Sequence, residues 1–250
     1  MSCKGDPVLK RVLTIWMALM CWLAQPAVAE PDHAVAAHYP PLMIAGNPER
    51  PGSSVEILLE AARRAGREVR LEFLPFRRAL KTVQHGRNVL QPSLFRRPER
   101  EPLYTWVVQT NVVQNTFNTV GAPIDTLEQG RDLTWVGVEH SSALDLLLTG
   151  AGYDNLSRVD RPEINAQKLM NGRIDAWALP HLVAVDIWKR QGFDVPLIGG
   201  ASLMAEQNYI IASPDTDAAV LAAYRAAVED MREDGTLQAI LEKYGWPVDR

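Results

Sequence analysis

Ser93-Leu94-Phe95-Arg96-Arg97-Pro98-Glu99-Arg100-Glu101-Pro102-Leu103-Tyr104-Thr105-Trp106 is the stretch on which the reading of this chain turns. One short apolar run ends at Ser93 and another begins near Trp106, with an arginine-rich turn between them. Two β-type runs around such a turn place a guanidinium at the carboxyl end of a strand, the edge where open α/β sheets bind ligands. A guanidinium fork matches a carboxylate with two parallel hydrogen bonds, which an ammonium cannot do. Taken alone, the segment favours a plainer reading, in which Arg96, Arg97 and Arg100 form a solvated face paired with Glu99 and Glu101.

The flanking sequence supplies the layers. Ser53-Ser54-Val55-Glu56 fits a capping box, and Val55, Leu58, Leu59 and Ala62 repeat at helical spacing up to Gly66, a left-handed C-cap. Val69, Leu71 and Phe73 alternate as a strand, 77–84 reads as a helix closed by Gly86, and 89–93 as a strand. Strand–helix alternation of this kind predicts a mainly parallel sheet. A second round follows, with strands at 133–138, 155–159 and 174–179 and helices at 142–149, 163–171 and 182–191. A long helix at 215–234, with Ala218, Leu221, Ala222, Tyr224 and Val228 on one side, and a shorter one at 236–244 are surplus to that second unit. A chain that crosses into a second lobe and returns accounts for them, with 107–120 and 206–212 as the crossings and a hinged cleft between the lobes. The fold class is α/β, with two mainly parallel sheets flanked by helices. Lobe 1 is assigned to 30–114 plus 208–250 and lobe 2 to 115–207.

The first 29 residues read as an address. Lys4, Lys10 and Arg11 precede a charge-free apolar run at 12–24 that is short for a bilayer span, and Ala27-Val28-Ala29 gives a small-x-small cleavage pattern. A secretory signal peptide at 1–29 and a periplasmic destination are expected. Met20 before Cys21 argues against a lipoprotein, since the residue there should be small. Both cysteines, Cys3 and Cys21, lie in this leader, so cleavage leaves 221 residues without a thiol and moves the net charge from −4 to −6. The product is acidic and long enough for an unstapled core, it has no further span-length apolar run, and nothing points to nucleic acid.

With these residues in place the chain resembles the periplasmic solute-binding proteins of polar amino acid uptake systems, family 3. The resemblance rests on Tyr39-Pro40-Pro41, Leu74-Pro75-Phe76-Arg77-Arg78-Ala79, Arg97-Pro98-Glu99-Arg100-Glu101, Val136-Gly137-Val138-Glu139-His140-Ser141-Ser142, Gly172-Arg173-Ile174-Asp175-Ala176 and the segment 237–245. It implies a monomeric receptor that closes two lobes on a small carboxylate-bearing solute and passes it to an ABC-type membrane permease or to a sensor. By the same resemblance Arg100 clamps the carboxylate, Tyr39 and Phe76 sandwich the solute, and Ser93, Ser141 and Ser142 complete the site. Ser141 or Ser142 would open a helix whose free N–H groups favour an anion.

Two positions depart from the pattern. Pro180 stands where the family's aspartate for an α-amine is expected, and Asn88 where its Gly-x-x-Asp turn has aspartate; the second change is read as structural. The first puts ordinary α-amino acids in question, leaving a carboxylate without an amine, or an amine held elsewhere by Glu139 or Glu206. Arg78 is assigned a structural pairing with Glu56, Asp175 a turn role, and Trp177 a place in the core or the pocket wall. Neither a His/Cys cluster, a Gly-x-Ser-x-Gly elbow nor a phosphate loop occurs, so neither catalysis, metal nor cofactor is expected. Two alternatives stay open. One is an exported dehydratase-like enzyme using Glu139 or Glu206 with His140 or His181, and the other is a free-standing sensor or partner-binding module.

Overall fold

A computed structural model describes residues 30–246; the leader assigned to 1–29 lies outside them. The strands are β1 (Asp32–Ala36), β2 (Val69–Phe73), β3 (Val89–Phe95), β4 (Thr105–Thr119), β5 (Val136–Glu139), β6 (Leu156–Val159), β7 (Ala176–Pro180), β8 (Ile198–Gly199) and β9 (Met204–Ala212). The helices are α1 (Ser53–Arg64), α2 (Phe76–His85), α3 (Leu127–Arg131), α4 (Ala143–Gly150), α5 (Pro162–Met170), α6 (His181–Arg190), α7 (Ala218–Glu233) and α8 (Thr236–Lys243), and Pro98–Leu103 forms a 3-10 turn.

The two expected sheets are joined edge to edge into one path, β2-β1-β3-β9-β4-β7-β5-β6, with β8 on β4. Pairing is parallel within β2-β1-β3 and within β7-β5-β6, and antiparallel wherever β4 or β9 takes part. The two crossings read from sequence are therefore the long neighbours β4 and β9, and the lobe boundaries drawn at 114/115 and 207/208 fall inside them. Pro92, which cannot donate to a ladder, sits where the β3–β9 register shifts between Gln91 and Leu94.

The largest core lies under β1, β3, β4 and β9, where α1 packs with α7 and α8. The buried stripe of α7 is Val220, Tyr224, Ala227, Val228 and Met231, whereas the predicted Ala218 and Ala222 are exposed. The helix is turned so that its larger side chains bury, because a methyl group offers little apolar area to gain. On the other half of the sheet, one cluster gathers Phe117, Val136, Val138 and Leu148, and another gathers Trp177, Leu179, Ile187 and Trp188.

Local signals were partly overridden. Gly66 and Gly172 take positive φ after α1 and α5, as the C-cap pattern implies. The capping box at Ser53 does not form: the N-cap is Gly52, and the amides of Ser53 and Ser54 donate instead to the carbonyls of Pro41 (3.0 Å) and Leu42 (2.9 Å). Both serine hydroxyls turn inward, Ser53 accepting from Trp246 Nε1 and Ser54 from Asn208 Nδ2. Glu56 binds Lys243 and Tyr244, so the expected Arg78–Glu56 pair is absent and Arg78 is exposed. Trp177 is fully buried in the core and is not part of the wall of the cavity described below.

Asn88 is structural, as read. At φ 54 it tolerates the left-handed region, its Oδ1 accepts from the amide of Asp217, and its Nδ2 donates to the Asp217 carboxylate. Asp175, read as a turn or cap residue, instead makes a long-range tie: its carboxylate accepts from the Trp135 amide at 2.8 Å and its amide donates to Trp135 O at 2.9 Å, joining the starts of β7 and β5.

Candidate functional site

Three antiparallel pairings, β3–β9, β9–β4 and β4–β7, set the two parallel groups running opposite to each other, and the carboxyl ends of both groups line one cavity of about 500 Å³. Each of these strands contributes to its wall. Tyr39 and Met43 follow β1, Phe76 and Arg77 follow β2, Ser93 to Phe95 end β3, Glu139 ends β5, Asp160 follows β6, and Ala178 to Pro180 end β7. Arg97 and Arg100 come from the 3-10 turn, Asn115 from β4 and Glu206 from β9. All six residues singled out from the sequence, Tyr39, Phe76, Ser93, Arg100, Ser141 and Ser142, are brought together here.

Tyr39 is fixed by a tight turn. Its amide donates to Met43 O (2.8 Å), and its carbonyl accepts from Leu42 and Met43 (both 3.0 Å). The partly buried ring packs against the α1 core on one side and the Trp177 cluster on the other. Burial raises the phenol's pKa above its usual range, and the charges of Glu139 and Glu206 push in the same direction. Phe76 opens α2 and is 46 % exposed at the cavity wall. Ser93 is buried, and its hydroxyl donates to Asn208 Oδ1 at 2.7 Å, so its donor is already in use.

The three arginines part ways. Arg96 pairs with exposed Glu101 at 2.7 Å, as the plain reading expects. Arg97 turns to Glu206, which also accepts from Asn115 Nδ2 at 3.2 Å. Arg100 has no carboxylate partner among the described residues; its Nη1 donates to Phe95 O at 2.9 Å. Burial, then the neighbouring charge of Arg97, pulls its pKa down. A guanidinium stays charged, so this direction measures how poorly the cation is solvated.

Across the cavity, Ser142 caps α4, accepting from the Asp145 amide at 3.1 Å. Ser141 sits at φ 59, and its amide donates to Asp145 Oδ2 at 2.9 Å. Asp145 is neutralised by Arg158 at 2.8 Å. The amides of Ala143 and Leu144, in the first turn of α4, have no acceptor among the described residues, and both residues line the cavity.

Glu139 carries no hydrogen bond or ion pair on its carboxylate among the described residues. Burial, with Glu163 adding repulsion, pushes its pKa up to about 7. His140 lies on the cavity with Nδ1 3.2 Å from Ser141 Oγ. His181 is held away from it, Nδ1 at 2.7 Å from Asn118 Oδ1, and burial lowers its pKa. Pro180 is buried, ends β7 and presents neither charge nor N–H. Among the described residues no cluster of three or more His, Cys, Asp or Glu is arranged to hold a metal, and no helix is long and apolar enough to cross a membrane.

Sequence reasoning missed Asn115, Asp160 and Arg97 as wall residues; only the resemblance, not the local pattern, singles out Arg100 from its neighbours. Asn115 lies within a 15-residue strand and has no local signature. Asp160 directly follows β6, so the rule of carboxyl ends was the signal that pointed to it.

Residues 33–247 match the sequence model of the bacterial extracellular solute-binding proteins, family 3. The chain belongs to that family. No curated protein matches it in sequence.

In structure this family 3 protein is similar to a histidine kinase sensor domain with similarity to periplasmic binding proteins. The TM-score is 0.72 at 18% identity, over 86% of this chain and 96% of that one. It is also similar to an ancestral arginine-binding protein bound to glutamine (0.68, 19%, 86% and 99%). The GluR0 ligand-binding core from Nostoc punctiforme, in complex with L-glutamate, gives 0.69 at 16% over 87% and 100%. These likenesses place the family 3 protein in the type II periplasmic-binding-protein fold. The neighbours are binding or sensor proteins.

Proposed function

We propose that this solute-binding protein is a periplasmic receptor that captures a small carboxylate-bearing solute by closing its two lobes. It then passes the solute to a membrane importer of the ATP-driven type. The observation that carries the reading is Arg100, a poorly solvated guanidinium facing the cavity with no carboxylate of its own. A buried charge without a counter-ion is costly, and a ligand carboxylate removes that cost with two parallel hydrogen bonds. The open amides of Ala143 and Leu144 add donors from the opposite wall. Tyr39 and Phe76 supply apolar faces on either side. Structural neighbours bound to glutamine and to L-glutamate support a carboxylate solute.

Delivery to a membrane sensor instead of an importer is the second reading, favoured by the likeness to a histidine kinase sensor domain. Thermal unfolding against a panel of amino acids, keto acids, cyclic acids and amines tests the solute. One or more carboxylates should raise the unfolding temperature of the wild type and leave Arg100→Ala unmoved. A panel with no shift, or a shift that survives Arg100→Ala, would overturn the proposal.

A further inference from the structure

Pro180 removes the carboxylate that a cationic solute group would be expected to meet at the end of β7, yet the cavity is not without acids. Three remain on its wall: Glu139, Asp160 and Glu206. Glu206 is spoken for, because Arg97 and Asn115 together occupy its oxygens. Asp160 lies on an exposed loop position, where water solvates its charge. Glu139 alone is largely buried at a strand end, with an unengaged carboxylate.

The charges on the two walls are of opposite sign. From β3, the 3-10 turn, α2 and β9 come Arg77, Arg97, Arg100 and one glutamate; from β5, β6 and β7 come Glu139 and Asp160, with no arginine or lysine. A solute with a carboxylate alone would satisfy the first wall and face an uncompensated acid on the second. A buried carboxylate lacking a donor loses its hydration without return, and a cation placed against it restores the balance.

We propose that Glu139 is the counter-charge for a cationic group of the solute, so that the cleft selects molecules bearing both a carboxylate and an ammonium-like cation. This rests on the carboxylate reading of Arg100 and specifies the other end of the same solute. Glu139 displaces the recognition of the cation from the end of β7 to the end of β5, the neighbouring parallel strand. The elevated pKa of Glu139 is consistent with a carboxylate awaiting a positive partner. Tyr39, whose ring lies in the field of Glu139, gives the same cation an aromatic face.

Isothermal titration with matched probes tests it: lysine, 2-aminohexanoate and hexanoate, together with arginine, glutamine and their deaminated acids. The wild type should prefer an ammonium-bearing probe to the acid lacking it. Glu139→Gln should weaken that probe roughly thirtyfold, as expected for removing one partner of a desolvated charge pair, while the deaminated acid binds at least as well. Pro180→Asp in the Glu139→Gln background should restore part of the loss. Circular dichroism of the variants shows that the fold is kept. If Glu139→Gln weakens both members of a pair equally, or the deaminated acid binds the wild type as tightly through Arg100, this inference falls and the carboxylate receptor stands. If no probe of either kind binds, both fall together.

Discussion

Arg97 and Glu206 meet across 109 residues of chain, with Nε and Nη2 of Arg97 each 2.8 Å from Glu206 Oε1. The glutamate is 6 % exposed and the arginine 20 %. This contact ties the 3-10 turn to β9, one of the two strands that run through both halves of the sheet. It also withdraws one cation and one anion from the cavity, leaving Arg100 and Glu139 as its partly buried charges without an ion pair among the described residues.

Breaking that pair should be expensive. Glu206→Gln leaves the Arg97 guanidinium half-enclosed and uncompensated, with an expected loss of about 3 kcal/mol by urea unfolding. A loss under about 0.5 kcal/mol would mean that solvent replaces the partner, as at an exposed pair.

Arg100→Ala should act in the opposite sense on the empty protein. Removing a desolvated cation with no counter-ion leaves the unliganded unfolding temperature unchanged or raised. The stabilisation by a carboxylate at a hundredfold over its dissociation constant, about 2.7 kcal/mol in the wild type, should vanish. Calorimetry of the two proteins with and without solute reads both effects, and a destabilised empty variant would contradict the first.

The Glu139 carboxyl titrates near 7 when folded, above its ordinary 4.5. Between these values the folded state holds a proton that the unfolded state has released, so stability falls as pH rises through that window. It is highest, for this group, below the unfolded value. Glu163 repels this carboxylate, and Tyr39, His140, Asp160, Arg97, Arg100 and Glu206 line the same cavity. Glu139→Gln should flatten the stability profile between pH 5 and 8. Binding of an ammonium-bearing solute should tighten as pH rises through about 7, because the charged carboxylate is the form that pairs. Denaturation and titration series at each pH check both slopes, and identical slopes in wild type and variant would refute the assignment.

Gly52→Ala probes how Tyr39 is held. A Cβ on Gly52 would lie 2.4 Å from Leu42 O and 2.7 Å from Met43 Cα, at a backbone φ of 103. Both neighbours are backbone of the Tyr39 turn, so either α1 or the turn must move. The expected cost is about 3 kcal/mol or more, with loss of solute affinity. Wild-type stability would show that this approach is not tight.

Ser142→Ala removes the α4 cap and should cost about 1 kcal/mol. The cost should appear in unfolding whether or not solute is present, since the hydroxyl's hydrogen bond is to the Asp145 amide within α4. A loss that appears only with solute bound would instead give the hydroxyl a direct role in recognition.

The order of strands and helices, the glycine-marked helix ends, and the placing of Arg100 in the turn after β3 and of Glu139 at the end of β5 follow from the sequence alone. Periodicity and turn chemistry act over a few residues, and within each parallel group the carboxyl ends of the strands gather on one edge. What tertiary structure decided is which charges are free. Arg96, Arg97 and Arg100 are equivalent as a string; they differ because Glu101 is exposed nearby, Glu206 arrives on a strand 109 residues after Arg97, and among the described residues no carboxylate pairs with Arg100. The cap of α1 was likewise settled by carbonyls of Pro41 and Leu42, which outcompeted a local serine. Local sequence sets which face a side chain leaves by. Its partner is set by the path of distant segments, and the energy of a charge in a cleft depends on that partner.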